Sequence, residues 1–489
     1  MTKQTHFKTA KAMAEGNKSL SYGIMAVVRA GFRRLGLYEF LDTLRGGTPF
    51  SYVIELMCID HLNGNSSMNR CANNVDCELL RDELCHGYKI SRKTMERSLP
   101  ILTLYFEDIL MHIWNELNRI YPDLNHDTYV DGSHLERYGK CRGPYTGYGE
   151  GGGTVQAQDQ FMLAQLRESG LPIFIEAYEG NLNDPTLYDD FIPQLMRILK
   201  RGSMIIMDNG GAVKHILDDI VDYGDDYLTR VKMNQSDMDR IRDEGDNAEY
   251  VGDDTVCIRH CFASSEKTSY LFFSYALYVK GLRSAEKKAK RMMEYLTDAR
   301  EFSKDPKPEK LVSVKKNPYY KVKSIKLDFE MTLDPWLESS MDDAMGQIAG
   351  DLCGWFKLQS SRRLESKDAL DLYRHRTDIE HLIKSIKSIV NMKPLRVWAD
   401  KSPRGAMLMG LIAQLMISMV RYDLEPEPVI RWVDGRKATV MYKPSMDTII
   451  KELRQWTVVL IPSEGFGVSR IYTNETDLTR RISSILEHY

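Results

Sequence analysis

The stretch Ser366–Val390, SKDALDLYRHRTDIEHLIKSIKSIV, constrains this chain more than any other. Ser366 is a helix-capping residue type, Asp368 sits in the first turn where the helix dipole favours an acid, and Pro394 lies just past the far end. The pattern predicts one long helix. With Tyr373 at 0° and about 100° per residue, Leu372, Ile379, Leu382, Ile383, Ile386, Ile389 and Val390 fall between about 160° and 280°, a core-facing stripe. Arg376, Glu380, Lys384 and Lys387 fall between about 300° and 20°, beside Tyr373. A carboxylate set among an arginine, a tyrosine and two lysines can ligate a divalent cation while the cations hold a phosphodiester backbone. A plain solvated helix face uses the same residue types, so the rest of the chain must decide.

Two aspartates upstream bear on that decision. From Thr128 the chain reads as short strands. Thr128-Tyr-Val leads into Asp131-Gly-Ser, a glycine-rich loop (143–153) follows, and Phe161–Leu166 and Leu171–Tyr178 are strands joined by a turn at Glu168-Ser-Gly170. Asp184-Pro185 opens a helix. Ser203–Met207 is an apolar strand ending in Asp208, and a helix over Ala212–Val221 precedes a fifth strand, Tyr227–Val231. An aspartate after a strand is commonly a turn former. Two of them on strand ends, with a glutamate on a later helix, make a set of hard oxygen donors suited to two magnesium or manganese ions.

Tyr373, Arg376, Glu380 and Lys387 stand at the spacing of the Tyr-Arg-Glu-Lys signature, and the stretch Thr128–Met409 resembles the insertion-sequence DDE transposases. The resemblance rests on Asp131-Gly-Ser, on Gly170-Leu-Pro-Ile through Glu179-Gly-Asn181 to Asp184-Pro-Thr186, on Met207-Asp208-Asn-Gly210, and on the helix. It implies an α/β, ribonuclease-H-like mixed sheet interrupted by a β-rich insertion. It also implies a catalytic, metal-binding triad of Asp131, Asp208 and Glu380 holding two Mg²⁺ or Mn²⁺, and helical phase beside Glu380 assigns Tyr373, Arg376, Lys384 and Lys387 to DNA. The family's partners are double-stranded DNA, as terminal inverted repeats and target, and a second copy in a dimeric synaptic complex. In this branch of the family a tryptophan of the insertion is associated with holding a flipped base, and Trp336 and Trp355 are the candidates, with core packing the other reading of both.

The remaining segments are read on their own residues. Residues 1–125 form an all-α domain in this reading, with the first twenty or so residues disordered. Glu78–Leu84 and Ser91–Ser98 have helix-turn-helix spacing, with Arg92, Lys93 and Arg97 outward as DNA contacts, or else belong to a plain helical bundle. Residues 126–232 and 366–425 make the two parts of the catalytic core, 233–365 the insertion, and 426–489 a small C-terminal module given a dimerisation role by position alone. The net charge of −3 does not announce a nucleic-acid partner, but charge is uneven. Lys280–Lys326 holds 15 Lys and Arg against 6 Asp and Glu, interleaved with aromatic residues, and reads equally as a nucleic-acid surface or a solvated helix and loop.

Gly405–Val420, an apolar run of 16 residues that includes Gln414 and Ser418, is short for a membrane span and is read as a buried helix. With no apolar leader at the start, residence is expected to be cytoplasmic, on the nucleoid of a prokaryote. Eight cysteines include no Cys-x-x-Cys pair; Cys257, His260 and Cys261 offer three zinc ligand types without a second cluster, against reduced thiols. Three further readings stay open: a ribonuclease-H-like nuclease without strand transfer, a domesticated DNA-binding protein, and a metal-dependent small-molecule hydrolase.

Overall fold

The computed structural model describes residues 16–136, 147–151, 154–262, 266–304, 320–322, 331–333, 345–346, 348–388, 392, 402–433, 436–463 and 467–489. The chain divides into two compact units, Met1–Tyr227 with Tyr373–Tyr489, and Leu228–Leu372. Together they make a mixed α/β protein with a large mixed sheet and many helices.

The first unit is built around the helix Pro403–Asp423. Every residue from Gly405 to Val420 is buried, and the helix packs on the helices Arg92–Leu104, Phe50–Leu62 and Tyr22–Arg34 and on the strand Pro172–Glu179. Among the described residues it alone has the length and composition to cross a membrane, and here it is the core. A side chain at Gly405 would collide with the Leu99 carbonyl, so glycine sets how closely the helices approach. Gln414, the polar interruption, accepts a 2.7 Å hydrogen bond from Ser385 Oγ and so fixes the helix Thr377–Ser388 against the core.

Four strands follow one another across the sheet of this unit: Gly147–Gly151, Thr154–Leu166, Thr128–Glu136 and Met204–Met207. Pro172–Glu179 also pairs with Thr154–Leu166. Thr128–Glu136 runs parallel to Met204–Met207 and antiparallel to Thr154–Leu166. The glycine-rich run expected as a loop supplies one of these strands, Gly147–Gly151. The first strand, expected to end at Asp131, continues to Glu136, because Gly132 and Ser133 keep their register with Met162 and Phe161.

Seven helices lie between Tyr22 and Ile120, and the described segment before them is a strand. Lys18–Ser21 lies antiparallel to Thr457–Ser463 of the C-terminal module, Lys18 opposite Leu460. The helix Arg92–Leu104 buries Met95, Leu99 and Leu102 and keeps Arg92, Lys93 and Arg97 in solvent.

His126 ties the helix Phe106–Ile120 to the turn entering Met204. Its Nδ1 accepts from the Lys200 amide at 3.1 Å while Nε2 lies 3.1 Å from Asn118 Oδ1. That pair of contacts requires the neutral ring, and burial, with Lys200 nearby, lowers its pKa to about 4. The unfolded ring titrates near 6.5. Between those values the unfolded chain binds the extra proton, so stability falls as pH drops through 6.5 and levels off below about 4. We expect a loss on the order of 1–2 kcal/mol from pH 7 to pH 5, and His126→Gln should remove it. Urea titrations of both proteins at the two pH values would read this directly.

The second unit takes up the strand Asp226–Val231 from Leu228 onward and continues it with the antiparallel strands Trp355–Ser360, Thr268–Ser274, Thr255–Cys261 and Glu249–Gly252, in that spatial order. Asp237 and Lys357 form a buried ion pair at 2.9 Å within it. Cys257 and Cys261 lie on one strand with His260 on the alternate face, so these three do not gather around one ion. Among the described residues no group of His, Cys, Asp and Glu is spaced for zinc. Trp355 packs on Phe273 with ring centres 5.5 Å apart, and Trp336 lies outside the described residues. The helix Tyr275–Lys304 follows directly on the strand Thr268–Ser274.

Candidate active site

Register brings the two aspartates together. Val130 is the parallel partner of Met207, so Asp131 and Asp208, each one residue further on, leave neighbouring strands at the same level. Asp131 stays in its strand, and its Oδ1 accepts the Gly132 amide at 2.9 Å. Asp208 ends its strand and caps the short turn Asn209–Gly211, accepting the Asn209 amide at 2.7 Å. Gly210 belongs here for steric reasons: a Cβ would stand 2.8 Å from that of Asp184.

The third carboxylate arrives on a helix that differs from the expected one. Instead of one helix over 366–390, two form, Ser366–Arg374 and Thr377–Ser388. At the break the amides of Arg376 and Ile379 bond three residues back, to Tyr373 and Arg376, and Thr377 Oγ1 bonds the Arg374 carbonyl. No proline or glycine marks the spot. The break turns Arg376 inward, and its side chain is only 14% exposed.

Arg376 then spans the three acids. Nη1 donates to Asp131 Oδ2 at 3.0 Å, Nη2 donates to Glu380 Oε1 at 2.8 Å, and Nη2 lies 3.7 Å from Asp208 Oδ2. Tyr373 donates its hydroxyl to Asp208 Oδ1 at 3.2 Å, and its ring centre is 5.9 Å from the guanidinium carbon. Lys387 donates to Ser133 Oγ, two residues past Asp131 on the same strand. Burial raises the pKa of Asp131, with Asp208 and Glu380 adding to the rise, and Arg376 opposes it. Burial would lower the arginine's pKa, but the carboxylates, Asp131 foremost, hold it above its ordinary value.

Sequence reasoning placed Asp131, Asp208, Glu380, Tyr373, Arg376 and Lys387 together, and the structure gathers all six. Lys384 goes elsewhere. It lines a separate cleft of about 660 Å³ with Arg167, Arg421 and Lys443, since it sits at the edge of its stripe next to His381, Ser385 and Ser388. Arg92, Lys93 and Arg97 stand on another helix, with no described contact to the carboxylates. The site also holds residues that sequence reasoning passed over. A cleft of about 210 Å³ over the aspartates is lined by Asp184, His134, Gln160 and Tyr188 among others. Asp184 falls inside the run Glu179–Thr186 that carried the resemblance, yet its place beside a proline made it read only as a helix start.

The donor set fits hard divalent cations: three carboxylates, of which Asp131 and Asp208 line the cleft. With the guanidinium among them, no three acidic, His or Cys side chains of the described residues are spaced to share one ion.

Comparison with known proteins places this geometry. The family model described as the transposase DDE domain matches residues 128–416, more than half of the chain. A cryo-EM structure of the piggyBac transposase synaptic complex with hairpin DNA is similar at a TM-score of 0.39 and 11% identity, over 88% of this chain and 76% of that one. No curated protein matches the sequence. From the strand of Asp131 to the buried helix that braces Ser385, the chain belongs to the DDE-domain transposases.

Proposed function

We propose that this transposase cuts double-stranded DNA at terminal inverted repeats and joins the freed 3′-hydroxyls to target DNA, with Asp131, Asp208 and Glu380 as its DDE residues. The observation that carries this reading is the convergence of three carboxylates from two adjacent strands and one helix on a single guanidinium. The strand order around Asp131, parallel to the later strand and antiparallel to the earlier one, supports a ribonuclease-H-like core. Asp131, Asp208 and Glu380 would hold two Mg²⁺ or Mn²⁺, which when bound activate the attacking oxygen and stabilise the leaving one. Arg376 and Lys387 then bind phosphates flanking the scissile bond, and Tyr373 orients the strand. Two copies acting in one synaptic complex, on the nucleoid, complete the proposal.

Purified protein incubated with a labelled duplex carrying the element's end and Mg²⁺ tests it. Metal-dependent nicking by the wild type that Glu380→Gln loses while still binding DNA is expected. Cleavage without joining would indicate a nuclease, and binding without cleavage a DNA-binding protein.

The DNA-partner part of the reading draws on the second unit. On the helix Tyr275–Lys304, Ala285 and Ala289 are buried, whereas Lys280, Arg283, Lys287, Lys290 and Arg291 are exposed. These five cations fall within about 100° of the helix circumference and along about 16 Å of its length. Glu286, bridged to Lys290 at 2.5 Å, is the acid among them. Each phosphate contact contributes about 0.9 to the slope of log K against log salt. Reversing Lys280, Lys287 and Arg291 to Glu should therefore flatten that slope by about 2.7 or more, as read by fluorescence anisotropy on a short duplex.

A further inference from the structure

One positive charge stands where three negative ones meet. The guanidinium of Arg376 reaches all three acids with two nitrogens, and leaves a formal charge of −2 on the group. Its planar fork suits this bridging, which a lysine ammonium could only imitate at one point. Without such a counter-charge the three carboxylates would repel one another, so Arg376 holds the acids together in the metal-free protein. The same contact stands in the way of metal. A dication bound to these carboxylates would face a like charge within hydrogen-bond distance.

The backbone at Arg376 is suited to letting go. The residue lies in the break between two helices, where its amide and that of Ile379 bond three residues back rather than four. Reorienting its side chain therefore disturbs no continuous helical ladder. A guanidinium displaced from a carboxylate finds an equivalent bidentate acceptor in a phosphodiester.

Resting on the DDE reading above, we propose that Arg376 is a positioning residue that couples metal loading to DNA binding: it closes the carboxylate site until a phosphodiester draws the guanidinium away. Metal and DNA then raise each other's affinity, as reciprocal linkage requires. The exchange also protects the host. Metal is held back from a nuclease centre that has no substrate.

The test is Mn²⁺ binding to the full-length protein without DNA, followed by the electron paramagnetic resonance signal of free Mn²⁺. Arg376→Ala is expected to bind Mn²⁺ about tenfold or more tightly than the wild type, within the range of ordinary coupling. Arg376→Lys should fall between, and adding Asp131→Asn to Arg376→Ala should abolish the gain. A second readout is thermal: Mg²⁺ should raise the unfolding temperature of Arg376→Ala far more than that of the wild type. If the alanine variant proves unfolded, Arg376→Lys alone carries the comparison. Equal, Asp131-sensitive Mn²⁺ affinity in wild type and Arg376 variants would overturn the coupling and leave the DDE reading standing. Absence of Asp131-sensitive binding in every protein, with and without duplex DNA, would overturn the metal assignment itself.

Discussion

Asp208→Asn should slow strand cleavage by roughly 10³-fold or more, the scale of losing a catalytic group, without weakening DNA binding. The substitution keeps the shape of the side chain and an oxygen to accept the Asn209 amide, so the turn Asn209–Gly211 survives. What is lost is one charge and one hard oxygen facing Arg376 and the cleft. Removing a negative charge beside an incoming phosphate leaves affinity unchanged or a few-fold tighter. Single-turnover cleavage and anisotropy on one labelled duplex separate the two effects. Wild-type cleavage by the variant would reduce Asp208 to a turn former.

Arg404→Leu should cost about 3–5 kcal/mol of folding stability at neutral pH. Arg404 clamps Glu176 with two bonds, Nε to Oε1 at 2.8 Å and Nη2 to Oε2 at 2.5 Å, and its guanidinium carbon lies 4.0 Å from the centre of the Phe106 ring. The Glu176 side chain is 7% exposed. Burial already raises the pKa of this carboxyl, with Arg404 pulling it back. Deleting the arginine leaves a buried charge unpaired and drives the pKa further up. The folded variant then binds its proton more readily than the unfolded chain does, so its deficit should shrink as pH falls toward the carboxylate range. Adding Glu176→Leu should recover much of the loss, since a well-packed apolar pair replaces a buried ionic one at little cost. Guanidinium unfolding of the two variants at pH 7 and pH 5 checks both statements.

The parts of this protein that are legible in its sequence are those governed by local pattern. The aspartates are legible because Val130 and Met207 end short apolar runs. Glu380 is legible because helical phase sets it beside Arg376. What escapes is what a distant partner decides. The helix break after Arg374 has no breaker residue, and it sets Arg376 against Asp131, 245 positions away. The continuation of the first strand past Gly132-Ser133 depends on pairing with Met162 and Phe161, against the turn chemistry of the dipeptide. Lys384 differs from Lys387 by a modest rotation, and only its neighbours in the folded chain, His381 and Ser388 among them, show which cleft that rotation selects. Asp184 is hidden because sequence near a proline speaks of chain direction and not of depth. Helix phase ranks faces well and edges poorly, and Lys384 began at an edge.

The strand Lys18–Ser21 meets its partner at Thr457–Ser463, about 440 residues later. At 5–20 residues per second a ribosome needs roughly half a minute to a minute and a half to span that distance. For all that time the first strand emerges with its edge unpaired, and the helices behind it lack the module that covers them. A product of premature termination can therefore carry the aspartates and even Glu380 and still remain unsealed, fit for proteolysis before it meets DNA. Pairing Lys18–Ser21 with a strand made about 440 residues later makes translation of the C-terminal module a condition for a finished first unit.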